Sequence, residues 1–494
     1  MVEQLSGSIT IIGLGPGDAN LITRQGWRIL EQAEVVYLRT GEHPATADLP
    51  AGARRRTFDH VYKEAHDFTA VYAQIASELL EAAGRGQDVI YAVPGDPTVG
   101  EASVTAIMEG ATREGVRVRV IIVPGVSFVE PTLAALGQDA LDGLQLFDAI
   151  TIAGYNHPPV NPDHPLLLGQ VYNRLLANEL KLTLMAVYPD DHQVTLVHGA
   201  GTSKQHLETI PLYEIDRSRH IAHMTSLYVP PLPLPSSLQA LAEDAAMLRS
   251  PQGCPWDREQ TPQSLRAPFL EEVSEVLEAL DAGDPESLQE EMGDVLFHIV
   301  LQAQMAREEE LFRLSDVIAG IYAKIRRRHP HVWGDWEVAG SDEVVANWEK
   351  IKAREKGRKS AESLLEGIPA TLPALARSQK IQERVRRVGF DWPAIEGVVA
   401  KMQEEIEELL QADSPERQSD EIGDLLFAVV NWARWLGLDA ESALREANAR
   451  FVRRFQLVEQ LVRERDLDLT EADLDLLERL WQEAKGLLRQ EREG

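Results

Sequence analysis

Two stretches of the chain repeat one pattern of acidic side chains. Each copy has two adjacent glutamates, another glutamate three residues later, a short spacer, and a glutamate followed after three residues by an aspartate. The acidic residues of the two copies are Glu271, Glu272, Glu275, Glu291, Asp294 and Glu404, Glu405, Glu408, Glu421, Asp424. Carboxylates crowded at one place repel one another unless a cation neutralises them, and oxygen ligands favour a hard ion such as Mg²⁺. The pattern therefore predicts a magnesium site in each copy.

Helices must position these carboxylates. Residues three apart lie on one face of a helix, so Glu272 and Glu275 project together, as do Glu291 and Asp294. A proline between the two acidic segments of each copy breaks the pattern, which predicts a helix, a turn and a second helix. The alternative is a solvent-exposed acidic helix face. Repetition of the whole pattern, with the same trailing Gly-Asp-Val/Leu-Leu-Phe sequence, favours the metal site.

The composition indicates a multidomain protein without membrane spans. A length of 494 residues predicts two to four domains of about 100–200 residues each. The net charge of −30 argues against general binding of nucleic acid or membrane surfaces. It does not exclude small anionic substrates, because a bound metal ion can reverse the local field. Cys254 is the only cysteine, and neither a signal peptide nor an apolar run of ~18–20 residues is visible. We therefore expect a cytoplasmic protein.

Residues 1–232 are predicted to form an α/β domain. Helical patterns alternate there with short β-branched runs, which implies a largely parallel sheet with ligands at the carboxyl ends of its strands. The runs expected to form strands are Ser8–Ile12, Val35–Leu38, Val89–Ala92, Val116–Val123, Ala149–Ile152 and Leu182–Val187. The histidines of this region show no compact ligand spacing, so we expect structural or surface roles for them.

Three loops rich in glycine and proline follow predicted strands, at residues 13–18, 94–101 and 124–127. Glycine lets a ligand approach the backbone closely, and proline restrains the loop. The first loop lacks the G-x-G-x-x-G spacing of a Rossmann dinucleotide site, because its glycines alternate with single residues. A tight turn explains any one loop, whereas three loops at strand ends indicate one shared small-molecule site.

These loops, which read GLGPGD, VPGDPTVGE and VPGVS in this order, resemble those of the tetrapyrrole methylase family. The resemblance covers about residues 7–230 and implies an S-adenosylmethionine-dependent methyltransferase fold with the methyl donor in a cleft between two α/β halves. The positions that match the donor site of the family are Gly15, Pro16, Gly95, Asp96 and Ser127. The family commonly has a second serine where this chain has Phe128. The resemblance leaves open whether methyl transfer takes place, and on which substrate.

A proline-rich stretch at residues 230–235, Pro-Pro-Leu-Pro-Leu-Pro, is predicted to be a linker, because proline at this density continues neither a helix nor an inner strand. Downstream, glycine and proline thin out and long patterns with a 3.6-residue period dominate. This region is predicted to be all-α and to consist of two related modules, residues 233–366 and 367–494.

The helical region resembles the MazG family of nucleoside triphosphate pyrophosphohydrolases over about residues 237–490. Besides the carboxylates, the segments GCPWD, RRHPHV, LPAL, VGFDW and FVRRF carry the resemblance. The order of a methylase followed by MazG is similar to that of the bacterial YabN-type two-part proteins. The resemblance implies Mg²⁺-dependent hydrolysis of a nucleoside triphosphate between its α and β phosphates, and it implies a homodimer.

The reaction that the resemblance implies suggests roles for individual residues of this sequence. The expected metal ligands are Glu405, Glu408, Glu421 and Asp424 in the second copy, and Glu272, Glu275, Glu291 and Asp294 in the first. Glu404, together with Glu405, is expected to orient or deprotonate the attacking water. The residues expected to bind the nucleotide are Lys380, Arg384, Trp392, Asn448 and Arg453, for which an ordinary charged helix surface is the alternative. Since the second copy has the denser basic segment before its hairpin, we expect the second module to be the main catalyst.

Three functions remain open at this point. The leading one is a Mg²⁺-dependent nucleoside triphosphate pyrophosphohydrolase that carries an S-adenosylmethionine-binding methylase-like domain. In the second, methyl transfer to a tetrapyrrole is the main activity and the helical region is an accessory. In the third, the first domain senses a ligand or binds a partner without turnover.

Overall fold

The computed structural model describes residues 7–64, 67–113, 118–356, 363–470 and 472–493. The chain divides into two compact units, Met1–Glu259 and Gln260–Gly494. The first unit is α/β and the second is helical, as the sequence predicts. Within the described residues, no helix combines the length and the apolar character that a membrane span requires.

The first half of the α/β unit is built on a sheet of five parallel strands. The strands are β1 (Gly7–Gly13), β2 (Val35–Leu38), β3 (Arg54–Thr57), β4 (Asp88–Val93) and β5 (Val118–Val123), in the order β3-β2-β4-β1-β5. The helices are α1 (Arg24–Gln32), α2 (Asp59–Glu64), α3 (Phe68–Gly84), α4 (Ala102–Ala111) and α5 (Val129–Leu136). Val116, the expected start of one strand, lies outside the described residues.

Apolar side chains pack on both faces of this first sheet. Successive residues of a strand point to opposite faces, so Ile11 of β1 joins the core formed with α3, whereas Ile12 joins the core formed with Leu30 of α1. The inner strands β1 and β4 are therefore nearly continuous apolar runs. Burial holds these strands in place, and their carboxyl ends lead directly into the glycine-rich loops.

The second half of the α/β unit has a mixed sheet. Its strands are β6 (Gln145–Asp148), β7 (Leu166–Gly169), β8 (Gln193–His198), β9 (His206–Pro211) and β10 (Thr225–Val229), in the order β6-β7-β10-β8-β9. Its helices are α6 (Ala149–Ala153) and α7 (Arg174–Leu184). Only the β6–β7 pair is parallel and the other pairs are antiparallel. The prediction of a largely parallel sheet therefore holds for the first half alone.

Two strand predictions in this second half are wrong. Residues 149–152 belong to helix α6, because Asp148 caps its first turn by accepting hydrogen bonds from the amides of Ile150 and Thr151. Residues 182–184 are the end of helix α7, whose Leu184 is fully buried against the second sheet. A short apolar run does not distinguish a strand from a helix segment that faces the core, because both contain such runs.

Two helices that follow the proline-rich stretch complete the first unit. These are α8 (Leu238–Arg249) and α9 (Pro255–Glu259). The start of α8 is held by the turn before β7, because the amides of Ser236 and Ser237 donate to Asp163 at 2.7 and 3.2 Å. The hydroxyl of Ser237 in turn caps the helix by accepting from the amide of Ala240.

The helical unit contains two hairpins at the positions of the acidic repeats. The helices of the first predicted module that lie in this unit are α10 (Arg266–Ala282), α11 (Pro285–Glu308), α12 (Leu314–Arg328), α13 (Pro330–Trp333) and α14 (Ser341–Lys356). Those of the second are α15 (Ala374–Arg386), α16 (Ile395–Gln411), α17 (Pro415–Trp435), α18 (Ala440–Glu464) and α19 (Leu474–Glu493). Asp284 and Ser414 cap α11 and α17, each followed by a proline at the first helical position. The predicted helix–turn–helix form of each repeat is confirmed.

Candidate active site

The two hairpins each bring three carboxylates together. In the second module, ligand oxygens of Glu405, Glu408 and Glu421 lie within 4.8 Å of one another. In the first module, the same holds for Glu272, Glu275 and Glu291. In each group, two members come from the first helix of the hairpin and one from the second helix. The arrangement follows from the three-residue spacing within one helix and from the tight turn between the two helices.

Glu405 is the most buried member of these groups, with 4% of its surface exposed. Its Oε1 lies 2.7 Å from the ammonium nitrogen of Lys401, whereas its Oε2 is buried without a hydrogen-bond partner. A buried carboxylate oxygen without a partner carries a large desolvation cost. A cation beside Oε2 would offset this cost, so the second group fits a bound metal ion.

The acidic neighbours perturb one another. Desolvation, followed by the charges of Glu405 and Glu421, raises the pKa of Glu408 despite the opposing charge of Lys401. Desolvation and then the charges of Asp294 and Glu275 raise the pKa of Glu272 in the first module. Crowded carboxylates of this kind are stabilised by a divalent cation and resist simultaneous ionisation without one.

Lys401 is a site residue that the sequence reading missed. Its ammonium group contacts Glu404 at 2.9 Å as well as Glu405, and hydrogen bonds to Glu405 and then Glu404 raise the pKa of Lys401. The signal was present, because Lys401 stands four residues before Glu405 on the same helix face. The corresponding position in the first copy is Pro268, which supplies no cation.

Some predicted residues lie outside the carboxylate groups. Asp424 and Asp294, both expected as metal ligands, do not join the groups that meet within 4.8 Å among the described residues. The side chain of Glu404 is 56% exposed and pairs with Lys401. Glu404 therefore stands at the solvent side of the buried Glu405, on the same helix turn.

Two of the expected nucleotide-binding cations have local partners. Lys380 pairs with Glu383 at 3.2 Å on the surface of α15. The guanidinium group of Arg384 donates to the carbonyl oxygens of Leu364 and Glu366, at 3.0 and 2.5 Å. Arg384 thus anchors the segment that precedes α15.

Trp392 lies at the start of the second hairpin. The residue is 43% exposed, and its indole packs on Gly397 of α16, where an added Cβ would lie 2.8 Å from a ring carbon. This position leaves part of the ring accessible to a stacked base.

The α18–α19 pair distinguishes two adjacent arginines. Arg453 and Asn448 are exposed. The guanidinium group of Arg454 lies over the ring of Trp481, 4.7 Å from its centroid, and its Nε is buried without a hydrogen-bond partner. The sequence alone favoured Arg453, because neighbouring helix positions point about 100° apart and only the packing shows which of the two faces inward.

The three glycine-rich loops of the α/β unit meet one another. Gly15 and Gly95 exchange two backbone hydrogen bonds, at 3.2 and 2.8 Å, and both have left-handed φ angles of 72° and 68°. A Cβ added to Gly13 would lie 2.4 Å from the carbonyl oxygen of Gly95 and 2.8 Å from Cα of Gly125. Glycine is therefore required for the close contact of all three loops.

Asp96 links the second and third loops. Its Oδ2 accepts from the amide of Gly125 at 2.8 Å and its Oδ1 accepts from Thr98. Although burial alone would raise the pKa of Asp96, the hydrogen bonds from Thr98 and Gly125 lower it. Ser127 is also engaged within its loop, since its hydroxyl donates to Glu130 at 2.6 Å.

Buried polar residues beside these loops were not predicted. Arg39, which follows β2, places its Nε 3.3 Å from the carboxylate of Glu101 after β4. His43 is 9% exposed and neither ring nitrogen has a hydrogen-bond partner. Burial and then the charge of Arg39 lower the pKa of His43 to about 4. A charged residue at the end of a buried strand is the sequence signal for this cluster.

Three family models match separate parts of the chain. The model of Tetrapyrrole (Corrin/Porphyrin) Methylases matches residues 8–216. The MazG nucleotide pyrophosphohydrolase domain matches residues 260–333 and the Phosphoribosyl-ATP pyrophosphohydrolase model matches residues 378–451. The two acidic repeats thus fall within two separate pyrophosphohydrolase matches.

Curated relatives cover the whole chain or its helical part. The chain is 40% identical over 490 residues to the uncharacterized protein YabN of Bacillus subtilis (strain 168), which covers 97% of this chain and 99% of that protein. It is 48% identical over 244 residues to the nucleoside triphosphate pyrophosphohydrolase of Escherichia coli (strain K12), covering 48% of this chain and 93% of the relative. It is 45% identical over 239 residues to the nucleoside triphosphate pyrophosphohydrolase/pyrophosphatase MazG of Thermotoga maritima, covering 48% and 92%. The resemblances read from the motifs are confirmed, and the chain belongs to the YabN family, with a tetrapyrrole methylase domain ahead of two MazG-type helical modules.

Proposed function

We propose that the protein is a Mg²⁺-dependent nucleoside triphosphate pyrophosphohydrolase with an attached S-adenosylmethionine-binding domain. The observation that carries this proposal is the convergence of Glu405, Glu408 and Glu421, with Oε2 of Glu405 buried and without a partner. The similarity to relatives named nucleoside triphosphate pyrophosphohydrolase supports the same reaction class.

The metal ligands and Glu404 have different roles in the proposed reaction. Mg²⁺ would be held by Glu405, Glu408, Glu421 and Asp424. The ion would neutralise charge on the triphosphate and lower the pKa of a water molecule bound to it. Glu404 orients the attacking water and accepts its proton. The water oxygen forms a bond to phosphorus, the bridging bond between the α and β phosphates breaks, and a nucleoside monophosphate and pyrophosphate leave.

Residues outside the acidic group would bind the rest of the nucleotide. Lys380, Arg384 and Arg453 supply positive charge to the triphosphate, Trp392 stacks on the base, and Asn448 forms a hydrogen bond with the sugar or the base. The partly exposed indole of Trp392 supports its part of this assignment. Arg454, beside Trp481, is a further candidate cation because its Nε has no hydrogen-bond partner.

The second module is proposed as the main catalyst. Its Glu405 is buried and is paired with Lys401, a combination that positions Glu404 beside the acidic group. The first module has Pro268 at the position of Lys401. We therefore expect Glu272, Glu275, Glu291 and Asp294 to bind a cation with a weaker catalytic contribution.

The test is pyrophosphate release from a panel of nucleoside triphosphates with Mg²⁺. Glu408→Gln and Glu275→Gln each remove one carboxylate from one module. Glu407→Gln and Glu278→Gln are matched controls, since each lies on the same helix but outside the carboxylate group. We expect Glu408→Gln to abolish most pyrophosphate release and both controls to retain it.

The alternative results assign the activity differently. Loss in Glu275→Gln alone would make the first module the catalyst. A wild-type chain that releases no pyrophosphate from any nucleotide would refute the hydrolase proposal and favour methyl transfer as the main activity. Glu404→Gln should lower the rate by roughly 10²–10⁴-fold if Glu404 is the general base.

A second candidate function, methyl transfer to a tetrapyrrole, rests on the α/β unit. The contact between the loops of Gly15, Gly95 and Gly125 forms the kind of close backbone surface that a small ligand requires. Titration of the full chain with S-adenosylmethionine tests donor binding, and incubation with a precorrin-like acceptor tests turnover. Binding of S-adenosylmethionine without a methylated product would instead favour a sensing role. If the chain neither binds the donor nor forms a methylated product, the α/β unit would be an interaction module.

We also infer a homodimer. Apolar side chains of the second hairpin remain exposed on the chain, among them Leu410, Leu426 and Trp432 at 81%, 49% and 37%. Exposed apolar groups of this kind are stabilised by burial against a second copy. Light scattering of the purified chain should give twice the 55.0 kDa of one chain, and Leu426→Glu should lower this mass. A mass of one chain for the wild type would contradict the inference.

A further inference from the structure

Three histidines, His198, His206 and His220, come together in the second half of the α/β unit. His198 ends β8 and His206 begins β9, and the antiparallel register pairs them directly. His220 follows the 3-10 turn at Leu212–Arg217 and lies beside both. The ring centroids are 6.0 Å apart for His198 and His206, 5.7 Å for His198 and His220, and 5.0 Å for His206 and His220.

His198 is the buried member of this histidine cluster, with 6% of its surface exposed. Its Nδ1 is 3.0 Å from the hydroxyl oxygen of Thr225, which fixes the orientation of the ring. Its Nε2 is buried without a hydrogen-bond partner and faces the Oε2 atom of Glu208 at 3.4 Å. With the proton on Nδ1, which then donates to Thr225, Nε2 presents a lone pair to this carboxylate, whereas with the proton on Nε2 the N–H faces Glu208. A second acceptor opposite a buried lone pair is unfavourable without a cation between them.

The hydrogen-bond partners of His198 and Glu208 resemble those of metal ligands. Histidines that bind a metal through one ring nitrogen usually donate the other N–H to an oxygen, as Nδ1 of His198 can donate to Thr225. The carboxylate of Glu208 is held in turn by the hydroxyl of Ser218 at 2.5 Å.

The spacing of the rings suits one tetrahedral ion. A Zn–N distance of about 2.0–2.1 Å places the ring centroid about 3.2 Å from the metal, and tetrahedral angles then separate two centroids by about 5.2 Å. The observed separations of 5.0, 5.7 and 6.0 Å lie close to this value. The ring nitrogens do not yet converge, since the described groups that meet within 4.8 Å are the two carboxylate groups. His206 and His220 are exposed and can turn toward His198, whose ring is fixed.

We propose that His198, His206, His220 and Glu208 form a binding site for one divalent transition-metal ion of the Zn²⁺ class. A ligand set of imidazole nitrogens with one carboxylate favours Zn²⁺, Co²⁺ or Ni²⁺ over Mg²⁺. This site is chemically different from the all-carboxylate groups of the helical unit.

The site has a structural consequence for the glycine-rich loops. The hairpin between β8 and β9 spans residues 199–205, and its two ends carry His198 and His206. A Cβ added to Gly201 would lie 2.9 Å from Pro16, and one added to Gly17 would lie 2.6 Å from Thr202. Metal binding would therefore hold in place the hairpin that packs on the Gly15–Pro16–Gly17 loop.

Co²⁺ titration of the full chain tests this site, because tetrahedral Co²⁺ has an intense visible band and octahedral Co²⁺ does not. Excess Mg²⁺ is included to fill the carboxylate groups. We expect one equivalent of Co²⁺ to give the tetrahedral band and Zn²⁺ to displace it. His206→Ala and His220→Ala should each weaken Co²⁺ binding by roughly tenfold or more. His157→Ala, which removes an exposed histidine outside the cluster, should bind Co²⁺ as the wild type does.

A second measurement separates metal binding from loss of fold. Zn²⁺ should raise the Tm of the wild type and of His157→Ala, and should not raise that of His206→Ala. The two cluster variants replace exposed side chains, so their circular dichroism should match that of the wild type. The proposal is refuted if Co²⁺ gives no tetrahedral band, or if His206→Ala and His220→Ala retain wild-type affinity. It is also refuted if Glu408→Gln or Glu275→Gln, rather than the histidine variants, removes the band.

Discussion

Lys401 lies 2.7 Å from Oε1 of Glu405, on the first helix of the second acidic hairpin. This contact neutralises one side of the most buried carboxylate and leaves the other side, Oε2, without a partner. Lys401 would therefore compete with a bound metal ion for part of the negative charge of the site. The first hairpin contains Pro268 at this position, which supplies no cation.

Replacing Lys401 should change the Mg²⁺ requirement of the second module. In Lys401→Met, the Mg²⁺ concentration for half-maximal pyrophosphate release should fall by a factor of roughly two to five, because a partly exposed ion pair contributes about 0.2–1 kcal/mol. Arg417→Met, which removes an exposed cation paired with Asp413, is the matched control. An unchanged or higher Mg²⁺ requirement in Lys401→Met would show that Lys401 does not compete with the metal.

The close contact of the glycine-rich loops predicts a steric effect. An added Cβ at Gly125 would lie 2.6 Å from the carbonyl oxygen of Gly95 and 2.9 Å from Cα of Gly13. Gly125→Ala should therefore separate the loops, destabilise the α/β unit by about 1–3 kcal/mol and weaken S-adenosylmethionine binding. Gly84→Ala is the control, since nothing lies within 4 Å of its Cβ position. Thermal unfolding and donor titration measure both effects, and equal behaviour of the two variants would contradict the steric argument.

The start of the second hairpin depends on a buried ion pair. Asp391 accepts hydrogen bonds from the guanidinium group of Arg434 at 2.6 Å and from the indole of Trp435 at 3.2 Å. The Arg434 side chain is only 7% exposed, so Asp391→Ala leaves a buried charge unpaired and should cost about 3–5 kcal/mol. Asp413→Ala breaks a solvent-exposed pair in the same module and should change stability by less than about 0.5 kcal/mol. Hydrogen exchange in α17 should accelerate in Asp391→Ala alone.

The ion pairs of Glu355 with Arg327 and Arg328 in the first module should be sensitive to acid. Hydrogen bonds from Arg328 and then Arg327 lower the pKa of Glu355 from 4.5 to about 2. A carboxyl whose folded-state pKa is depressed contributes its full stabilisation above the unfolded pKa. This contribution should therefore be present above pH 4.5 and be lost as the pH falls from 4.5 toward 2.

The matched comparison is between Glu355→Gln and Glu337→Gln, which alters an exposed glutamate of the same module. Glu355→Gln should lower the Tm near neutral pH and should lessen the fall in Tm between pH 4.5 and 2. Glu337→Gln should follow the wild type across this range. An identical pH profile for Glu355→Gln and the wild type would contradict the assigned ion pair.

The acidic hairpins could be predicted because their information is local. Spacing of three residues places Glu405 and Glu408 on one helix face, and Ser414 with Pro415 starts the next helix. Helix periodicity and capping depend on residues only a few positions apart, so they can be predicted from the sequence. Lys401 was available from the same rule, because its pairing with Glu405 is also a contact four residues apart.

Contacts between distant segments were decided by the tertiary structure. Residues 149–152 and 182–184 have apolar sequences that suit a strand, yet capping and packing against the second sheet make them helical. The identity of the inward arginine, Arg454, depends on where Trp481 of the next helix packs.

The sequence by itself determined the family, the two hairpins and the glycine-rich loops, because each is a short motif whose spacing controls its own geometry. It did not reveal the histidine cluster, for which the spacing indicated structural or surface roles. His198 and His206 meet through the register of β8 and β9, and His220 reaches them from the segment between the 3-10 turn and β10. The strand register and the path of this segment are set by the burial of the whole sheet, a property that no short stretch of sequence contains.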